Sequence, residues 1–365
     1  MVDGLIEEKD TGLPPWARNL LRDCVGGTRG ERLLIVTEPP ASGHYDTEAP
    51  RLVAEAARRL GLRVYQTEAP PGLAEEAGLA DFVEGLRGFD HVIFFARVGD
   101  QLRFTPRPGM PRATMCYTLD REMLDGPFGS ACHAGMVELK EAIDAALAAA
   151  RRVRVTCPRG TDYSGCVPAG MAAPAEVVLK RFPMVVPRPV PADGFSGRVV
   201  LSRFLVGTGS RIYEPYWLPL DADVVALVSG NRITAFEGPP DAVAAVRAHY
   251  LTVAGRFGLD PWHVHSWHAG IHPGCGFRED ARRQILRWAG SAFGNPRILH
   301  FHTCGDQPPG EISWNIIDPT VTIDGIALWE DGRLHPERLP GGPEILARHP
   351  RLAAQFAAPR TEIGL

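Results

Sequence analysis

Several things are missing from this chain, and each absence removes a class of function. No apolar run reaches the roughly 18 residues that a membrane-spanning helix needs, so no membrane role is expected. The stretch Met1–Asp10 is acidic and lacks a basic-then-apolar leader, so a soluble cytoplasmic protein is expected. Seven cysteines, an odd number, stand singly with no C-x-x-C pair, which suits reduced thiols and not a disulfide framework. Only three of the 39 basic residues are lysine, the net charge is −4 and no basic stripe is present; nucleic acid is excluded as the main partner. Glu38-Pro39-Pro40-Ala41-Ser42-Gly43, after the first apolar run, is neither G-x-G-x-x-G nor a P-loop, which excludes a nucleotide cofactor.

What the chain has is a concentration of histidine. Six of its twelve histidines fall between residues 263 and 302: His263, His265, His268 and His272, then His300 and His302. Neutral imidazole is the commonest metal ligand and the side chain that titrates nearest neutrality. The cluster therefore points to a metal site or to acid–base chemistry, although its spacing matches no zinc finger and no H-E-x-x-H helix.

The 365 residues, 45% of them apolar, are enough for two domains. The first half alternates strand and helix. Leu33–Thr37 reads as a strand buried on both faces. Asp46 or Thr47 caps a helix to about Leu60, closed by Gly61, and Leu62–Gln66 is the next strand. His91–Ala96 is a further buried strand, Val137–Arg151 an amphipathic helix and Arg152–Cys157 a strand, giving an open sheet over residues 30–157. The Pro-rich 183–194 can be neither helix nor central strand; it is a linker or an extended segment at an interface. Beyond it, Arg198–Val206 and Asp223–Ser229 read as strands, Gly230-Asn231 as a tight hairpin into Arg232–Phe236, and Asp241–Phe257 as a helix. The expected architecture is an α/β open-sheet domain over 1–180, an α+β domain over 181–345 carrying the histidines, and a tail over 346–365.

Motifs in this order resemble one family. Gly30–Thr37, Val153–Asp162 with its Gly160-Thr161-Asp162, Arg232–Gly238 followed by Asp241-Ala242, Gly270-Ile271-His272-Pro273 and Thr320–Gly325 are similar to landmarks of the M29-type metallo-aminopeptidases and the related 2,5-dihydroxypyridine 5,6-dioxygenases. The resemblance spans about residues 28–335 and implies a metal-holding C-terminal domain and a homodimer or higher homo-oligomer. It also shows departures. The family's H-x-D metal motif falls here on Glu311-Ile312-Ser313, and Phe182–Pro187 has none of the peptidase glutamates. A two-metal peptidase needs those carboxylates to hold its ions, so peptidase activity is not expected.

A one-metal site survives better, because a non-haem Fe(II) centre needs two histidines and a carboxylate on one face. His265 or His268, His300 or His302, and Glu311 or Asp306 supply the types. On a strand, His300 and His302 point the same way. The expected ligands are His265, His300, His302 and Glu311, with His268, His272 and His44 in proton transfer. Asp162 lies at a strand exit and Trp267 beside the histidines; with Arg159 they are the expected substrate contacts, and Arg181 and Arg188 are further carboxylate binders. Cys275 and Cys304 are alternative nucleophiles. Two functions stand side by side. One is a mononuclear Fe(II) enzyme, dioxygenase-like, for a small aromatic, heterocyclic or modified-peptide substrate. The other is a metal-free relative that binds a small molecule or peptide as an accessory protein, or uses the histidines for acid–base work.

Overall fold

The computed structural model describes residues 12–70, 76–103, 109–167, 179–209 and 211–365; the acidic stretch Met1–Asp10 lies outside them. The described residues form a mixed α/β structure built on three sheets. The first is parallel and has five strands, in the order Arg63–Glu68, Arg32–Thr37, His91–Phe95, Arg112–Cys116 and Lys180–Phe182. Its middle strands are apolar on both faces because helices cover it. One of these, Glu48–Arg59, is capped by Asp46, whose Oδ1 accepts from the Ala49 N–H at 2.8 Å, and ends at Gly61, at φ +85°. A longer helix, His133–Ala149, buries Leu139, Ile143 and Leu147 at helical spacing.

The strand Val153–Thr156 does not join this sheet as expected. It sits in an eight-stranded antiparallel sheet, between Asp162–Gly165 and Thr320–Ile323. Val153 and Val155 are buried while Arg154 is exposed, the alternation of a strand with one wet face and not the continuous run of a buried parallel strand. The fifth parallel strand comes instead from Lys180–Phe182. The eight-stranded sheet also holds the expected hairpin, Val224–Ser229 and Arg232–Glu237, whose two-residue turn uses Gly230 at φ +60°.

The third sheet is antiparallel, in the order Trp217–Pro219, Phe204–Gly207, Glu311–Ile317, Ile298–Cys304, Val264–Ala269 and Val190–Pro191. Arg198–Val206, expected as one strand, is two. Arg203, at φ +68°, turns the chain from the eight-stranded sheet at Phe195–Leu201 into this one at Phe204–Gly207. The Pro-rich segment contributes only the edge strand Val190–Pro191, where missing N–H groups cost nothing.

The two antiparallel sheets share an aromatic layer. Trp267 meets Phe195 edge-on at 5.7 Å, Phe301 meets Tyr163 at 5.2 Å, and all four are at most 1% exposed. With Trp267 and Phe301 turned into that core, period two sends His268, His300 and His302 to the opposite face. Among the described residues, no helix is long and apolar enough to cross a membrane.

Candidate functional site

The free face of the six-stranded sheet forms one wall of a cavity of about 510 Å³. The opposite wall comes from loops at the carboxyl ends of the parallel strands: His44, Arg97, Asp100, Arg103 and Tyr117, where open α/β sheets bind ligands.

Strand register builds the centre of the site. His268 lies opposite His300, and His302 opposite Ser313, with Glu311 on the diagonal. One ring nitrogen each from His268, His300 and His302 lies within 4.8 Å of the others. His268 Nε2 is 2.7 Å from His300 Nε2 and 3.1 Å from His302 Nε2. Ligands at right angles on an ion about 2.1 Å away are about 3.0 Å apart, so both separations suit neighbouring positions on one metal.

The outward ring nitrogens set the tautomers. His268 Nδ1 donates to the Pro187 carbonyl at 3.0 Å. His302 Nδ1 faces Glu311 Oε1 at 2.7 Å, and the Thr208 hydroxyl donates to the same oxygen. With protons on those two Nδ1 atoms, the two Nε2 atoms present bare lone pairs 3.1 Å apart, an arrangement that a cation between them stabilises. Burial, the neighbouring His302 and the Arg181 and Arg103 guanidiniums hold His268 well below the usual imidazole range. Burial, His268, His302 and Arg103 do the same to His300. Neutral imidazole is the form that binds metal. The donor set thus fits a single metal ion.

Around this centre the walls are polar. Arg103 is half-buried, pairs with Asp100 through Nε at 3.0 Å and donates from Nη1 to the Tyr117 hydroxyl at 3.1 Å. Arg97 grips Glu38 with Nε and Nη2. Asn315, opposite His300 and 5% exposed, lines the cavity with an Nδ2 that has no partner among the described residues. Phe293 stands edge-on to His300 at 5.7 Å and to Tyr117 at 5.6 Å. Burial, with Arg97 and Arg287 overcoming the pull of Glu38, pushes His44 down to about 3.

The expected residues divide. His44, His265, His268, His300, His302 and Glu311 all line the cavity. Their places differ from expectation in three respects. His268 sits with His300 and His302, and His265 does not: at the strand's bulge, its Nε2 meets the Cys304 carbonyl at 3.0 Å. Glu311 stands behind His302, on the ring nitrogen turned away from the centre. His272 is buried against Phe128 and accepts from the Gly274 N–H, and it is not among the cavity residues. The structure brings none of Asp162, Arg159 and Trp267 to the cavity. Asp162 pairs with Arg154 and Arg159 with Asp223 on the exposed side of the eight-stranded sheet, and Trp267 is in the core between sheets. The strand-exit rule fails at Asp162 because its strand is antiparallel. Arg181 and Arg188 do line the cavity. Asp306 also lines it, exposed. Cys275 is buried and donates to the Ser291 carbonyl, while burial pushes the Cys304 thiol up to about 12; neither suits a nucleophile.

The sequence reading overlooked Arg97, Asp100, Arg103, Tyr117, Thr208, Asn315 and the Pro187 carbonyl. The first four had a signal, since they follow closely on the carboxyl ends of two buried strands. Thr208, Asn315 and Pro187 had none, because their roles depend on cross-strand register.

Neither a protein-family model nor a curated protein matches the sequence. Among solved structures, that of 2,5-dihydroxypyridine dioxygenase from Pseudomonas putida KT2440 is similar, with a TM-score of 0.55 and 14% identity over 89% of this chain and 98% of that one. Nothing found supports the aminopeptidase half of the resemblance, and at this identity the likeness to the dioxygenase is one of fold.

Proposed function

We propose that this chain is a mononuclear non-haem metalloenzyme, Fe(II) being the metal, that oxygenates a small aromatic or heterocyclic compound, as the name of its structural neighbour says of that protein. The observation that carries the reading is the convergence of His268, His300 and His302 on the floor of the cavity. These three would hold the ion, and Glu311 and the Pro187 carbonyl would fix two of the rings. When bound, Fe(II) would activate dioxygen and relay to it the electrons that the substrate ring gives up.

The remaining roles belong to the walls. Arg103 and Arg181 favour an anionic oxygen on the substrate. Asn315 Nδ2 offers a hydrogen bond to a substrate carbonyl or phenolate oxygen. Phe293 gives a ring an edge to pack on. Neutral His44, across the cavity, offers a ring nitrogen for a hydrogen bond to a substituent of the substrate ring. The metal-free reading is less economical. If His302 used an Nε2–H to bond His268, its bare Nδ1 would face the Glu311 carboxylate at 2.7 Å, and an extra proton would be required there.

Metal analysis of protein purified without chelator or affinity histidines tests the proposal. About one equivalent of bound metal, or uptake of about one Fe(II) under anaerobic conditions, is expected for a single site. No uptake by folded protein refutes it.

A further inference from the structure

Away from the cavity, three side chains form a relay that the proposed chemistry does not use. Cys132 is half-buried and sits at the N-cap of the 17-residue helix His133–Ala149. Its Sγ lies 3.4 Å from His349 Nδ1. His349 Nε2 lies 3.1 Å from Glu138 Oε1, and Arg348 holds the other oxygen of that carboxylate through Nη2 at 2.6 Å. Glu138 is thereby kept ionised, held below the usual carboxylate range first by Arg348 and then by His349. None of the three lines the 510 Å³ cavity.

The partners fix the direction of the relay. The Glu138 carboxylate can only accept, so His349 carries its proton on Nε2 and its bare Nδ1 faces the thiol. Packing has been arranged around the imidazole. A Cβ at Gly135, in the first turn of the helix, would come within 2.7 Å of His349 Cγ. The positive end of the helix favours a thiolate at its N-cap. The other cysteines are differently placed. Cys24, Cys116, Cys275 and Cys304 are buried, and Cys157 and Cys166 are half-buried with no imidazole hydrogen-bonded to the sulfur among the described residues.

We propose that Cys132 is a reactive thiol that undergoes exchange with low-molecular-weight disulfides, with His349 as its base and Glu138 orienting the imidazole. The Cys132 S–H proton passes to His349 Nδ1, and the thiolate attacks one sulfur of the disulfide. A bond forms between Cys132 Sγ and that sulfur while the reagent's own S–S bond breaks. The departing thiolate takes the proton from His349 and leaves as the free thiol; the disulfide is the oxidant, and no other is needed.

The test uses the full chain and oxidised glutathione, with the site of each adduct mapped by mass spectrometry over time. Cys132 is expected to react about tenfold faster than Cys157 and Cys166, and His349→Gln to remove that advantage. Glu138→Gln should slow Cys132 several-fold with the melting temperature unchanged. Iodoacetamide, which needs no proton for its leaving group, should rank the cysteines identically. The proposal is overturned if Cys132 reacts no faster than Cys157 and Cys166, or if folded His349→Gln protein reacts like the wild type. Should that variant not fold, the ranking of the three wild-type cysteines decides alone.

Discussion

Glu311→Gln separates a residue that orients a metal ligand from one that is itself a ligand. Glu311 is 2% exposed and meets both His302 Nδ1 and the Thr208 hydroxyl. Glutamine keeps an oxygen at the place of Oε1, able to face His302 Nδ1 and accept from the Thr208 hydroxyl, so the shape survives. Only the charge is lost. The 2.7 Å contact is electrostatic and lacks hydrogen-bond alignment, so the change removes about 1–1.5 kcal/mol of attraction between the carboxylate and the metal-bound ring. That corresponds to about a five- to tenfold rise in metal Kd, at the lower edge of the 10–100-fold typical of groups that support a ligand from behind. Anaerobic competition of apoprotein against a chromophoric chelator for Fe(II) measures it, with stoichiometry still near one. A variant that binds no metal would make Glu311 a ligand, and a Kd equal to the wild type's would deny it any orienting role.

His268→Ala removes the ring whose Nε2 touches both others, and is expected to abolish stoichiometric metal uptake while a normal melting curve shows the fold intact. Tyr250→Phe leaves the buried Trp314 Nε1–H, now 2.6 Å from the Tyr250 hydroxyl, without an acceptor; about 1–3 kcal/mol of stability should be lost, read from the urea midpoint, and a change within error would show that the Trp314–Tyr250–Thr303 chain is not structural. Among the described residues His249 has no hydrogen-bond partner on either ring nitrogen, and burial pushes it down to about 4. Its folded value lies below the unfolded 6.5, so the unfolded chain binds more protons between the two; stability should fall as pH drops from about 6.5 to about 4, by up to about 3 kcal/mol, and His249→Leu should flatten that slope.

Period-two alternation made His300 and His302 readable as a pair, and clustering made the 263–272 segment readable as their neighbour. Which histidine of that segment meets them was not readable. His265 and His268 are three apart, and the bulge between Val264 and Ser266 decides which faces the pair. Glu311 was found because the family's H-x-D motif falls on Glu311-Ile312-Ser313, which gives a position in sequence and no direction in space. Its place behind His302 follows from the diagonal geometry of two antiparallel strands. Val153–Thr156 was misassigned because a short strand was read by its neighbours, while its own alternation named the other sheet. The helix Glu48–Arg59 and its Gly61 stop, the Gly230-Asn231 hairpin and the Asp241–Phe257 helix were legible because caps and turns act locally.

The two oriented histidines are held by groups of different kinds. His302 leans on a side chain, so one nucleotide change at position 311 can retune or abolish its orientation. His268 leans on the Pro187 carbonyl, a main-chain oxygen that every amino acid would present. Substitution at 187 can reach His268 only by moving the backbone, and Val185, whose own carbonyl accepts from the Ile271 N–H, anchors that stretch two residues away. One ring is therefore insulated from sequence drift while its neighbour stays adjustable. A lineage could alter the basicity of His302 through position 311 and leave the direction of His268 as it is.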